Sequence, residues 1–126
     1  MCDAVRVLVI DAANVIGSRP TGWWRDRPGA ARAFTAQVRA SVASGRLGKP
    51  VTIVLEGQAR AGAAEADVGG VAVVHAPGEG DDTIAAIARA NRQVVVATAD
   101  RALAARVRAD DAEVVGPSWL LARLVD

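Results

Sequence analysis

The chain is expected to fold as an α/β protein, a three-layer α/β/α sandwich around a mainly parallel five-stranded sheet. Three observations predict it. Five short runs rich in β-branched residues alternate with helix-forming stretches along the 126 residues, the order that builds parallel sheets through crossover helices. The first, second and fourth runs are apolar almost throughout, as strands covered on both faces must be. Hydrophobic residues make up 52% of the chain, largely Ala and Val, side chains small enough for helices to sit close on a sheet. The length suits a single domain, 1–126.

Taken in order, "VRVLVI" (5–10) is the first strand, and it ends at a carboxylate, Asp11. A polar connection, "SRPTGWWRDRPG" (18–29), leads into "PGAARAFTAQVRASVASG" (28–45), a helix with Pro28 in its first turn and Gly45 as its stop. "VTIVLE" (51–56) is the second strand. "QARAGAAEAD" (58–67) reads as helix or loop, its glycine leaving both open. "VAVVH" (71–75) is the third strand. "DDTIAAIARAN" (81–91) is a helix with Ile84, Ile87 and Ala88 on one face and Asp81 or Asp82 as its cap. "VVVAT" (94–98) is the fourth strand, and "DRALAARVRAD" (100–110) a helix that opens on Asp100 and buries Leu103 and Val107. "EVVG" (113–116) is the fifth strand and "PSWLLARLV" (117–125) a closing helix.

Composition excludes several classes. Cys2 is the single cysteine, so there is neither a disulfide framework nor a thiolate zinc site. No apolar stretch approaches the length of a membrane span, and the N-terminus lacks a basic-then-apolar signal pattern, so a cytoplasmic protein without membrane contact is expected. The formal net charge of +1 says nothing of nucleic acid; distribution has to decide that. "GEGDDT" (78–83) has Thr83 where a dinucleotide fingerprint needs its third glycine, and no G-x-x-x-x-G-K-[ST] run is present. A phospho-acceptor reading of Asp11 lacks a D-x-D pattern and a late lysine, since Lys49 is the only lysine. His75 is the only histidine, so no Ser-His-Asp or Cys-His set is available; it is expected to be a solvated or locally bonded loop residue.

The acids carry the functional signal. Neighbouring parallel strands end at the same edge of the sheet, where ligands of open α/β sheets bind. Asp11, Glu56, Glu79, Asp81, Asp82 and Asp100 all fall there, six of the fourteen acidic residues. Like charges that close raise one another's pKa, at about 1.4 kcal/mol per unit. Helix N-termini offset part of that, and a divalent cation would offset the rest. An all-oxygen donor set suits Mg²⁺ or Mn²⁺, with Asp11, Asp81, Asp82 and Asp100 as the candidate ligands. Such an ion supports phosphoester hydrolysis without a protein nucleophile. Asn14 would orient Asp11, a water or a phosphate oxygen. Arg19, Arg25, Arg27 and Arg101 are candidates for phosphates, and Trp23 and Trp24 for stacking on single-stranded bases.

The stretches "VLVIDAANVIG", "TIVLEG", "GEGDDTIAAIA" and "VVVATADRAL" resemble the NYN branch of the PIN-like nuclease superfamily, its small bacterial YacP-like members in particular. The resemblance runs in the same order from residue 5 to about 107. It implies a PIN-like fold, Mg²⁺ or Mn²⁺ in an acidic cleft, and endonucleolytic cleavage of RNA. Asp11 and Asn14 match the family's strand-one pair, Asp82 with Asp81 beside it the acid at the helix start, and Asp100 the acid of the T-x-D turn. Two departures stand out: Ala12 and Ala13 replace a glycine and an aromatic, and Glu56 stands where aspartate is common.

The expected activity is therefore that of a metal-dependent endoribonuclease, with Asp11, Asn14, Asp82 and Asp100 as its catalytic group. The expected partner is single-stranded RNA, free or presented on a ribosome, and the expected state a monomer or weak homodimer. The alternatives are a metal-dependent hydrolase of free nucleotides, or a non-catalytic RNA- or ribosome-binding module.

Overall fold

A computed structural model of the chain describes residues 6–125. Cys2, and Val5 at the start of the expected first strand, lie outside the described residues. The expected fold class holds, with one strand more than the sequence predicted. The strands are β1 (Val7–Asp11), β2 (Val51–Leu55), β3 (Ala66–Val68), β4 (Val71–His75), β5 (Val94–Ala97) and β6 (Glu113–Val115). The helices are α1 (Ala12–Gly17), α2 (Arg27–Ala43), α3 (Gly80–Ala90), α4 (Arg101–Arg108) and α5 (Pro117–Leu121). They form one sheet in the order β3-β4-β2-β1-β5-β6, parallel except for β3, which runs antiparallel to β4.

Alternation along the central strand sorts the core into two layers. Leu8 and Ile10 point to the face covered by α2, where Phe34 and Val38 are fully buried with Ile53, Leu55 and Leu120. Val9 points to the other face, packing with Ile84 of α3 and Leu103 and Val107 of α4. A side chain the size of Phe34, fully buried, contributes roughly 1.5–3 kcal/mol. The expected inward faces of α3 and α4 are those observed, with Ile84, Ala88, Leu103 and Val107 buried and Ile87 packed at the margin. Trp119 is half-buried on the first layer, with the Arg123 guanidinium 4.0 Å from its ring centroid.

The chain builds the sheet outward from β1 on both sides. It places β2 and β4 to one side, then crosses to β5 and β6 on the other. Residues at the C-terminal end of β1 therefore stand at the switch point, where two connections diverge and leave a crevice. Ile10 lies opposite both Ile53 of β2 and Ala97 of β5.

Four elements differ from expectation. A helix, α1, begins directly after β1, with no loop between: Asp11 ends the strand and caps the helix, its carboxylate accepting from the Asn14 N–H. The uncertain segment 58–67 divides into a 3₁₀ segment, Gly57–Gly62, and the start of β3. β3 turns into β4 through Gly69 and Gly70, both at positive φ (62° and 84°), the backbone a two-residue hairpin requires. α3 starts at Gly80 with Glu79 at its cap position and no side-chain cap, so Asp81 and Asp82 lie in its first turn and do not cap it. α5 ends at Leu121, shorter than the expected 117–125. Among the described residues no helix is long and apolar enough to cross a membrane.

Candidate functional site

The site begins with a buried charge. Asp11, 6% exposed, is carried by β1 to the sheet edge and held there by its neighbour strand. The Thr98 hydroxyl, just past β5, donates to Asp11 Oδ2 at 2.8 Å. The same Thr98 oxygen accepts from the Asp100 N–H at 3.0 Å, and Asn14 Oδ1 accepts from the Ala99 N–H at 2.7 Å. The turn 98–100 is thus fastened to β1 and α1 by two hydrogen bonds and closed on itself by the third, and Asn14 acts on that turn through its side chain. Asp100 Oδ1 caps α4 by accepting from the Leu103 N–H at 3.0 Å, the N-cap geometry its sequence position suggests.

Glu56, beyond the end of β2, accepts from the Gly80 N–H at 2.8 Å and so ties β2 to the start of α3. That places Glu56 and Asp81 beside Asp11. Burial pushes the Asp11 carboxyl above the usual aspartate range. The Thr98 hydroxyl and the Asn14 N–H pull it back, and the charges of Glu56 and Asp81 push it up again. A carboxylate held ionised there is short of positive charge.

Asp82 does not join this group. Successive helix residues project roughly 100° apart, and Asp82 points to α4, where its Oδ1 meets Arg106 at 2.8 Å with the side chain 85% exposed. Asp81, half-buried, is the α3 acid whose charge acts on Asp11. Asp11, Asp82 and Asp100 therefore do not converge as one three-carboxylate set. Among the described residues no three His, Cys, Asp or Glu side chains form a group that could hold a metal ion by themselves.

The expected substrate-binding residues divide. Gly22, at φ 70°, turns the chain into a 3₁₀ segment, Trp23–Arg25. Trp23 is half-buried against the core, while Trp24 is exposed, the two rings meeting edge to face at 5.9 Å. Arg27 lies over the Trp23 ring at 5.5 Å and Arg25 over Trp24 at 5.8 Å. Arg101 is exposed at the start of α4, beside Asp100. Arg19 belongs to the scaffold: it donates to Gln37 Oε1 at 2.9 Å, and Gln37 in turn donates to the Val125 carbonyl. His75 is locally bonded as expected, its Nε2 lying 2.7 Å from the Ala63 carbonyl, but it is the last residue of β4 and not a loop residue.

Between the acids and the tryptophan turn lies a cleft of about 350 Å³. Ala13 and Ile16 of α1, Trp23, Ala30 of α2 and Ala59 make its apolar walls. Arg27, Glu56 and Glu79 bring charge to it. Thr98 is the residue to which sequence reasoning gave no role, although it opens the T-x-D turn. Its signal was a hydroxyl at the end of an otherwise apolar strand, at the edge that carries Asp11.

No family model matches the chain, and no curated protein matches it significantly by sequence. Among solved structures its fold is that of a YacP-like α/β domain. Rae1 (YacP) from Bacillus subtilis superimposes with a TM-score of 0.67 at 20% identity, over 92% of this chain and 72% of that one. At that identity the likeness establishes the fold alone.

Proposed function

We propose that the chain is a metal-dependent endoribonuclease-like hydrolase that cuts RNA phosphodiester bonds at the Asp11 edge. The observation that carries this reading is a buried carboxylate at the switch point of the sheet, flanked by Glu56 and Asp81 and raised in pKa by burial. The YacP-like fold and the four sequence stretches that resemble PIN-like nucleases support it.

The donor chemistry fits a hydrated dication. Mg²⁺ commonly takes one or two protein carboxylates and completes its shell with waters and phosphate oxygens, so a three-carboxylate cage is not required. Asp11 and Asp81 would hold Mg²⁺ or Mn²⁺, with Glu56 beside them. Bound there, the ion would lower the pKa of a water and neutralise charge developing on the phosphate. The chain's own part is positional. Thr98 fixes one Asp11 oxygen and leaves the carboxylate a single orientation. Asn14 pins the turn that carries Asp100 and Arg101. Arg25, Arg27 and Trp24 offer phosphates and bases their contacts at the mouth. The substrate in this reading is single-stranded RNA, free or presented on a ribosome, in the cytoplasm.

The test is cleavage of single-stranded RNA with Mn²⁺. The parent chain should cut, and Asp11→Asn and Asp81→Asn should stay folded and lose cutting. Release of phosphate or pyrophosphate from nucleoside triphosphates, with RNA intact, would replace this reading with a free-nucleotide hydrolase. RNA binding that survives Asp81→Asn and fails in Trp24→Ala, with no cutting by the parent chain, would replace it with a binding module.

A further inference from the structure

We infer that the cleft beside Asp11 is a pocket for one unstacked nucleobase, and that it favours a base presenting N–H donors on its pairing edge, guanine above the others. The substrate class rests on the nuclease reading; the pocket itself rests on its size, its walls and the sign of its rim.

The size comes first. Ligand pockets run from roughly 300 to 1,000 Å³, and at about 350 Å³ this cleft admits one heterocycle and no helix or stacked strand. Its walls are apolar and include an indole, Trp23, which is half-buried and packed on the core. A flat ring entering such a slot exchanges water for aromatic and methyl contacts without needing a particular sequence.

The rim supplies the selectivity. Glu56 and Glu79 both line the cleft, and an ionised carboxylate only accepts hydrogen bonds. Two such groups repel a phosphate, so the phosphate of a bound nucleotide must lie outward. Arg27, which lines the same cleft and sits over Trp23 at 5.5 Å, is the positive group placed to meet it. The base edge then faces acceptors. Guanine offers a ring N–H and an adjacent amino group, two parallel donors that match the two oxygens of one carboxylate. Adenine and cytosine offer an amino group alone. Uracil offers one N–H between two carbonyl oxygens, and those oxygens oppose a carboxylate.

Position links the pocket to the acids. Ala13 on its wall is two residues from Asp11, and Glu56 borders both the cleft and Asp11.

The experiment is an amide and indole NMR titration in EDTA, with GMP, AMP, CMP, UMP and ribose 5-phosphate, followed by pentanucleotides containing one guanine or only uracil. Saturable shifts centred on Ala13, Gly57, Gly78 and the Trp23 indole are expected, with GMP binding roughly tenfold tighter than UMP. Ala13→Phe, which fills the slot from an exposed helix position, should abolish those shifts, and Glu79→Gln should shrink the preference for guanine. Tighter binding of the guanine pentamer than of GMP would assign the base to an RNA strand, and equal binding would assign it to a free nucleotide; both uphold the pocket. No saturable shifts, equal shifts with all four nucleotides or with ribose 5-phosphate, or indifference to Ala13→Phe would overturn it. Because binding is read without metal or cutting, an inactive protein that still binds guanine would refute the nuclease reading and leave the pocket standing.

Discussion

The Thr98 hydroxyl donates to Asp11 Oδ2 at 2.8 Å across the boundary between β5 and β1, and both side chains are buried. This one bond couples the two strand ends that flank the switch point. It also relays to the Asp100 N–H, because the same oxygen accepts there. The acid at the centre of the site is held by a neutral partner, which orients the carboxylate without neutralising it.

Removing that partner should be costly. Thr98→Val keeps the shape but leaves a buried carboxylate oxygen and a backbone N–H without their bonds, a loss of about 1–3 kcal/mol. Thr98→Ser keeps the hydroxyl and should lose much less. Urea unfolding of the two variants at neutral pH checks both, and equal stabilities would show that the hydroxyl bond contributes nothing.

The raised pKa of Asp11 has a sign that can be measured. Its folded value lies above the unfolded one of about 3.9, so in that interval the folded chain binds more protons than the unfolded chain. Stability attributable to Asp11 is therefore greatest below the unfolded value and falls as pH rises through the folded one. Asp11→Asn removes the ionisation, so its stability relative to the parent should improve from pH 3.5 to pH 7. Thermal melts at the two pH values read this directly, and a constant gap would contradict it.

The two adjacent aspartates of α3 should behave differently. The charge of Asp81 acts on Asp11, whereas Asp82 pairs with Arg106. Saturating Mn²⁺ should raise the melting temperature of the parent chain by several degrees, since a ligand at 100 times its Kd adds about 2.7 kcal/mol. Asp82→Asn should keep that rise and Asp81→Asn should lose most of it. The reverse order would put the ion on the other face of the helix.

Gly62 tests the wall of the cleft from behind. A Cβ there would collide with the Pro28 carbonyl and approach Ala31 Cβ to 2.9 Å, because the 3₁₀ segment after β2 lies directly on α2. Gly62→Ala should destabilise the fold by about 1–3 kcal/mol through overpacking, measured by denaturant unfolding.

Much of this was legible in the residues. The apolar runs that became β1, β2 and β5 announced a sheet covered on both faces, and the phase of Ile84, Leu103 and Val107 gave the buried sides of α3 and α4. Placing the strand ends together was enough to bring Asp11, Glu56 and Asp81 to one edge. What stayed hidden depended on short elements and on phase. The helix in "AANVIG" is too brief to show a period, and it shares Asp11 with the strand before it. β3 has three exposed residues and so no apolar alternation, although Gly69 and Gly70 marked its turn. Choosing Asp81 over Asp82 required knowing that α3 starts at Gly80, since one residue of phase turns a side chain away from the site. Thr98 ends an apolar strand in a T-x-D turn, but its bond to Asp11 follows from the pairing of β5 with β1, which lies outside any local pattern.

The most direct measurement is the paramagnetic broadening of backbone amide signals by substoichiometric Mn²⁺. The amides of Asp11 to Ala13, Asp81, Thr98 and Ala99 should fade first, and Asp11→Asn should abolish that order. Broadening that begins at surface acids such as Asp67 or Asp110, or that is the same with and without the Asp11 carboxylate, would contradict a metal site built on Asp11.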